Sequence, residues 1–110
     1  MWEIIFCNDI SKSEFYELPT HLRARGSMLL KVLKVKGNTI GEPITKNLRD
    51  GIFEIRIRAD KDIARSLYAY EIGKKIIILT SFVKKTEKTP NDKIELALKR
   101  LKEWKDENRN

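Results

Sequence analysis

The chain has little of several residue types that usually mark a function. Among 110 residues there is one cysteine, Cys7, and one histidine, His21. A single cysteine cannot form an internal disulfide, and because Cys7 lies in an apolar strand pattern we predict a buried structural thiol. No apolar run approaches the roughly 20 residues that span a bilayer, and no basic stretch leads into an apolar one as in a signal peptide. We therefore expect a cytoplasmic protein with no membrane partner.

Acidic residues are also scarce relative to basic ones. Asp and Glu number 16 against 23 Lys and Arg, which gives a net charge of +7. Such an excess of positive charge favours a nucleic-acid or acidic-protein partner, because phosphates contribute one negative charge each and are strongly attracted. The length and a hydrophobic content of 41% indicate one folded domain over residues 1–110, with residues 106–110 as a frayed polar tail.

The apolar periodicity predicts the element order β-α-α-β-β-β-α. The predicted strands and helices are strand 2–6, helix 11–17, helix 21–36, strand 53–58, strand 63–71, strand 75–83 and helix 90–105. Residues 38–46 are predicted to form a loop. Thr89 is predicted to cap the last helix, with Asp92 completing an acidic capping box. This order indicates an α+β domain in which an N-terminal strand and a helical hairpin pack on a mostly antiparallel sheet, followed by a C-terminal helix.

The second helix carries more apolar positions than one narrow stripe would need. They are Leu22, Met28, Leu29, Val32, Leu33 and Val35. We therefore expect this helix to pack both on the sheet and on the first helix.

Basic residues gather at one region of the predicted sheet. Side chains alternate along a strand, so Arg56 and Arg58 share the face opposite the apolar set of their strand. We expect Arg65 beside them on this open face, because a buried arginine would need a paired carboxylate. Lys84 and Lys85, at the end of the last strand, are expected to border the same groove. Lys88 follows in the same segment, where three lysines repel one another unless a polyanion compensates them.

Three aromatic residues have two open interpretations. Tyr68, Tyr70 and Phe82 lie on the strands beside the basic groove. Each either packs in the core or stacks on a base of single-stranded RNA.

Several of these segments together resemble one known family. They are Gly51-Ile52-Phe53-Glu54-Ile55-Arg56, Arg65 in the following strand, Phe82-Val83-Lys84-Lys85-Thr86, and Lys88-Thr89-Pro90 ahead of the amphipathic helix. In this order they resemble the phage-derived HigB-like branch of the RelE/ParE toxin superfamily. The resemblance covers nearly the whole chain and implies a small RelE-like domain.

The resemblance implies the toxin of a type II toxin–antitoxin system. Such a toxin is an mRNA endoribonuclease that cuts in the ribosomal A site without a metal or another cofactor, leaving a 2′,3′-cyclic phosphate and a 5′-hydroxyl. Its partners are the ribosome with its mRNA and a cognate antitoxin, often a helix-turn-helix DNA-binding protein.

The resemblance also implies roles for the basic residues. Arg65 corresponds to the arginine at the scissile phosphate, and Lys84 or Lys85 to the proton donor of the leaving oxygen. Arg56 and Arg58 correspond to basic strand positions used for phosphate binding or proton transfer, and Lys88 is assigned to phosphate binding.

The general base is left open by the sequence. Glu54, Asp62 and Glu87 are candidates, but each is equally suited to pair with a nearby Arg or Lys. His21 receives no catalytic role, because the predicted hairpin keeps it far from the basic strands. Without a catalytic histidine or a tyrosine after the last strand, two alternatives stay open: a ParE-like toxin that poisons DNA gyrase, and a plain nucleic-acid-binding module.

Overall fold

The computed structural model describes residues 1–109, in which five strands form one sheet with the order β1-β5-β4-β3-β2. The elements are β1 (Glu3–Phe6), α1 (Asp9–Tyr16), α2 (Thr20–Lys36), β2 (Thr45–Arg49), β3 (Ile52–Ala59), β4 (Asp62–Glu71), β5 (Lys75–Val83) and α3 (Asn91–Glu107). Strand β1 pairs with β5 in parallel, and the other neighbours are antiparallel. The predicted α+β class and mostly antiparallel sheet are confirmed.

Local signals explain where the helical hairpin begins and ends. Asn8 caps α1, since its side chain accepts a hydrogen bond of 2.7 Å from the Ser11 amide. Helix α2 ends at Gly37, whose φ of 52° falls in the region that glycine adopts without strain. The ring of Trp2 occupies the space that a Cβ at position 37 would need, so only glycine fits there.

The sheet is covered on both faces. On one face, α1 and α2 pack against the strands around a core formed by Phe15, Leu18, Leu22, Leu29, Leu33, Ile55, Ile57, Ala64, Tyr68, Ile76 and Ile78. On the other face, α3 packs over a second core formed by Ile52, Leu67, Ala69, Ile77, Leu79, Ile94, Ala97 and Leu101. The second face is therefore open only where α3 does not reach.

Three expectations about the elements are corrected. A fifth strand, β2, forms within and after the predicted loop and pairs with β3. In α2, Met28, Val32 and Val35 are exposed, so only part of its apolar surface packs on the rest of the molecule. Helix α3 continues through Glu107, inside the predicted tail. The last tail residue, Asn110, lies outside the described residues.

Within residues 1–109 no helix is both long and apolar enough to cross a membrane.

Candidate nucleic-acid interface

The sheet register brings four of the predicted basic residues to one face. Arg56 lies directly opposite Arg65, and Arg58 lies opposite Ile63. The Lys84 amide donates a hydrogen bond of 2.7 Å to the Ile63 carbonyl, which extends the same row. Because residues opposite one another across a sheet share a face, Arg56, Arg58, Arg65 and Lys84 form one surface, which we call the basic face. Their predicted clustering is confirmed.

The expected exposure of Arg65 is wrong. Its side chain is only 3% exposed, because the segment of residues 84–90 covers it. The physical reason is the carboxylate that a buried arginine requires. Glu54, itself 1% exposed, lies on the same face and binds the Arg65 Nη1 atom through Oε1 at 3.0 Å.

Glu54 joins the two arginines of the basic face. While Oε1 binds Arg65, Oε2 accepts a hydrogen bond of 3.1 Å from Arg56 Nε. Arg56 Nη1 also donates a long hydrogen bond of 3.5 Å to the Pro43 carbonyl. The Arg56 side chain is 20% exposed, so part of its guanidinium remains accessible. A carboxylate that holds a cation in this way fixes its position before any substrate arrives.

Thr89 completes this buried network instead of capping α3. Its hydroxyl donates to Glu54 Oε1 and accepts from Arg65 Nη1. Arg65 Nη2 also donates to the Glu87 carbonyl at 2.8 Å. The predicted capping box is therefore wrong: Pro90 is the N-cap, and no side chain caps the helix. The network anchors the segment of residues 84–90 on β3 and β4.

A cleft of about 490 Å³ lies over this network. Of the predicted site residues, Arg56, Arg65 and Lys88 line it, and Lys88 is exposed at its margin. Lys84 and Lys85 do not line the cleft. They lie on the other side of the same segment, around a depression of about 440 Å³ that also includes Asp62 and Glu87.

The structure distinguishes the two lysines at the end of β5. Lys84 is half-buried, whereas Lys85 is exposed. Burial lowers the pKa of Lys84, and the positive charge of Arg65 lowers this pKa further. Arg58 and Arg56 act in the same direction, while Glu87 opposes them. Lys84 thus releases its proton more easily than an ordinary lysine does.

Arg58 lies on the basic face but beyond the end of β2. It is exposed and borders a shallow depression together with Arg56 and with Arg25 of α2. The basic face therefore continues around the edge of the sheet towards the helical hairpin.

The aromatic residues divide between the two faces. Tyr68 is fully buried in the core under the hairpin, where its ring stacks on Phe53 and meets the edge of Tyr70. For these two tyrosines the core interpretation is confirmed. Phe82 lies opposite Arg65 on the basic face, with the ammonium of Lys93 5.1 Å from the centre of its ring. Phe82 is only partly buried and also packs against the second core, so of the three candidates it alone lies on the basic face, and both of its interpretations stay open.

The three candidate general bases differ in the hydrogen bonds and ion pairs that their carboxylates form. Glu54 is engaged by Arg56, Arg65 and Thr89, and Asp62 Oδ2 lies 2.7 Å from His21 Nε2. The expectation that His21 lies far from the basic strands is wrong, because Asp62 is the first residue of β4. The carboxylate of Glu87 makes no ion pair within residues 1–109 and lines both the cleft and the neighbouring depression.

Strand β2 contributes cleft residues that the sequence analysis missed. Lys46 and Arg49 line the cleft from this strand. Arg49 donates hydrogen bonds to Asn91 at 2.7 Å and to Glu95 at 2.8 Å, which join the strand to α3. The Asp50-Gly51 turn contained the relevant signal, because a hairpin turn requires a strand on each side.

Among residues 1–109, no three or more His, Cys, Asp or Glu side chains lie close enough together to hold a metal ion.

The sequence is similar to a protein family and to two curated proteins. The model of the "Phage derived protein Gp49-like" family matches residues 13–102, which includes all of the basic face. Two curated proteins, both named "Probable endoribonuclease HigB1", are similar to the chain. They come from the CDC 1551 / Oshkosh and ATCC 25618 / H37Rv strains of Mycobacterium tuberculosis. Each is 35% identical over 96 residues, covering 87% of this chain and 74% of the relative. The expected resemblance to phage-derived, HigB-like proteins is confirmed.

Proposed function

The chain belongs to the Gp49-like family of phage-derived proteins, and on this basis we propose that it is the RNA-cleaving toxin of a type II toxin–antitoxin system. Its substrate is mRNA on the ribosome, its cleavage needs no metal ion, and its cellular partner is a helix-turn-helix antitoxin.

The observation that carries this proposal is the pairing of an accessible arginine with a buried network. Arg56 is held by Glu54, and Glu54 is held by Arg65 and Thr89. A network of this kind places positive charge at a fixed point beside a cleft. Preorganised charge of this sort is what stabilises a phosphate as negative charge develops on it.

Arg56 and Arg65 have different tasks in the proposed reaction. The 2′-hydroxyl of the RNA attacks the adjacent phosphorus, and the bond to the 5′-oxygen breaks. Arg56 contacts a non-bridging oxygen of this phosphate, since its guanidinium is partly accessible. Arg65 adds positive charge from the floor of the cleft and, through Glu54, holds Arg56 in position. Arg58 and Lys88 bind neighbouring phosphates.

The proton transfers are assigned to Lys84 and Glu87. The RNA extends from the cleft across residues 84–90 to the depression that Lys84 borders, where the charges of Arg65, Arg58 and Arg56 still act on this lysine. There Lys84 protonates the leaving 5′-oxygen, because its lowered pKa makes it a better acid than an ordinary lysine. Glu87 accepts the proton of the 2′-hydroxyl, because its carboxylate is exposed and forms no ion pair within residues 1–109. Lys85 supports Lys84 by adding charge along the path of the RNA. The products are a 2′,3′-cyclic phosphate and a 5′-hydroxyl.

The test is cleavage of a defined mRNA on programmed ribosomes, mapped by primer extension. The wild-type protein is compared with Arg56→Ala and Lys84→Ala, and Arg23→Ala serves as the matched control because Arg23 lies on α2. We expect A-site cuts by the wild type and the control, and a loss of about 10²-fold or more in each of the other two variants. The same mRNA without ribosomes should stay intact.

Two results would contradict the proposal. The first is an absence of cleavage by protein whose circular dichroism shows it to be folded. The second is full cleavage by folded Arg56→Ala, which would move the site away from the basic face. Inhibition of DNA gyrase by the same preparation would favour the gyrase-poison alternative.

A further inference from the structure

Helix α2 exposes an apolar stripe that the fold does not use. Its buried side consists of Leu22, Gly26, Leu29 and Leu33. On its outer side Met28, Val32 and Val35 are 58%, 38% and 64% exposed. Their spacing of four and then three residues aligns them along one face of the helix. Exposed apolar residues that line up in this way differ from the scattered ones found on most surfaces.

Positive charge flanks this stripe on both sides. Helix α2 contains no acidic residue between Thr20 and Lys36. Its exposed basic residues are Arg25, Lys31, Lys34 and Lys36. None of these four forms an ion pair with another residue in the described range 1–109. We call the stripe and these four residues together the α2 surface.

We propose that the α2 surface is the docking site for an amphipathic, acidic helix of a partner protein. Apolar residues of that helix, spaced at i, i+4 and i+7, pack between Met28, Val32 and Val35, while Asp or Glu residues on either side pair with the four cations. Met28 suits such a site because a flexible thioether adapts to the shape of its partner. The residues of the α2 surface take no part in the proposed RNA cleavage.

Charge and geometry argue against other occupants. A second copy would bring four more cations against these four, so self-association through this surface is repulsive. An RNA strand would satisfy the cations but leave the apolar stripe in water. An anionic membrane is disfavoured, because the stripe carries no aromatic or leucine side chain of the kind that anchors interfacial helices.

The α2 surface lies next to the basic face, so a helix docked on α2 affects the basic face as well. Arg25 borders the shallow depression that also contains Arg56 and Arg58. A helix lying along α2 and extending past Arg25 therefore reaches the edge of the sheet where the basic face begins. Its acidic residues would then compete with phosphate for Arg58.

The experiment uses a designed peptide as the probe. It is a helix of about 18 residues, long enough to fold, with leucines at i, i+4 and i+7 and glutamates flanking them. A second peptide has the same composition in an order that forms no apolar face. Binding to the ¹⁵N-labelled full chain is followed by amide chemical shifts and by fluorescence anisotropy.

We expect the first peptide to shift amide signals of α2 and to bind at least about tenfold more tightly than the second. Val32→Asp should weaken binding by about tenfold or more, because it places a like charge in the stripe. Ile72→Asp is the matched control, since Ile72 is 95% exposed but lies in the β4–β5 turn. It should change the affinity less than twofold, and both variants should retain the wild-type cleavage rate and circular dichroism.

Each of three results would overturn the proposal. Equal binding of the two peptides would mean that charge alone attracts them. Shifts confined to the cleft would place the acidic ligand at the basic face instead. Binding of the protein to vesicles of anionic lipid that is lost in Val32→Asp but not in Ile72→Asp, with no effect of Val32→Asp on the peptide, would identify the surface as a membrane contact.

Discussion

Arg65 shows how one residue's surroundings decide its chemistry. A guanidinium keeps its charge in a protein, so an arginine that is 3% exposed must be paired where it lies. The Glu54 carboxylate supplies the opposite charge. The Thr89 hydroxyl and the Glu87 carbonyl accept further hydrogen bonds from the Arg65 guanidinium. The attraction between Arg65 and Glu54 offsets the free-energy cost of removing their two charges from water. If one partner is removed, the other charge stays buried and that cost is no longer offset.

Replacing Glu54 with Gln should therefore be strongly destabilising. The substitution preserves shape but leaves the Arg65 charge buried without a counterion, and we expect a loss of about 3–5 kcal/mol in the free energy of unfolding. Urea unfolding measures this loss. Glu95→Gln is the matched control, because Glu95 forms an exposed pair with Arg49 and such pairs contribute little. An unchanged urea midpoint for Glu54→Gln would show that the pair does not hold the site together.

The pKa of Lys84 gives a second prediction at the scale of a residue. Burial and nearby arginines disfavour its charged form, so the ¹³Cε signal of Lys84 should titrate below the ordinary lysine value of 10.5. Arg58→Ala removes a repelling charge and should raise this pKa. Glu87→Gln removes an attracting charge and should lower it. If the Lys84 pKa moved in the opposite direction in these two variants, or did not change, Arg58 and Glu87 would not be the charges that act on Lys84.

At the scale of an element, the segment of residues 84–90 depends on the strands beneath it. It has no regular hydrogen-bonded structure of its own between β5 and α3. Arg65 and Glu54 hold it through Thr89 and the Glu87 carbonyl. The lysines of this segment are therefore positioned by β3 and β4. Loss of the Thr89 hydroxyl should loosen the backbone of the whole segment.

Thr89→Val tests this dependence with almost no change in shape. Loss of the buried hydroxyl removes a partner from both Glu54 and Arg65, which costs about 1–3 kcal/mol. Amide hydrogen exchange should accelerate across residues 84–88 and change little in β1. Thr86→Val is the control, because the Thr86 hydroxyl is exposed and bonds only the Lys88 carbonyl. Equal exchange in the two variants would show that Thr89 does not anchor the segment.

The elements that the sequence predicted well are those with strong periodicity. Phe53, Ile55 and Ile57 alternate with charged residues, and this pattern placed β3 and the direction of Arg56 correctly. Strand β2 was missed because Leu48 is its only apolar residue, so pairing with β3 rather than its own pattern makes it a strand. In α2, the pattern predicted burial of Met28, Val32 and Val35, which are exposed, because periodicity cannot tell a core contact from an exposed apolar stripe.

At the scale of the whole molecule, the two faces of the sheet have different uses. The hairpin covers most of one face with apolar side chains. Helix α3 closes only part of the other, and the uncovered end of that face carries the basic residues. The sequence predicted which residues cluster there but not that Arg65 is covered, because its cover comes from Thr89 and Glu87, more than twenty residues away along the chain.

This arrangement predicts that the basic face together with Lys88 at the margin of the cleft, and not the net charge of +7, determines RNA binding. Affinity for a single-stranded RNA should fall with rising salt, with a log–log slope of about −0.7 for each phosphate contacted. Arg58→Ala and Lys88→Ala should each reduce the slope by about 0.7, as measured by fluorescence anisotropy. Lys99→Ala lowers the net charge equally but lies exposed on α3, so its slope should match the wild type. If Lys99→Ala reduced the slope as much as Arg58→Ala does, RNA binding would depend on total charge. The basic face would then not be the RNA-binding site.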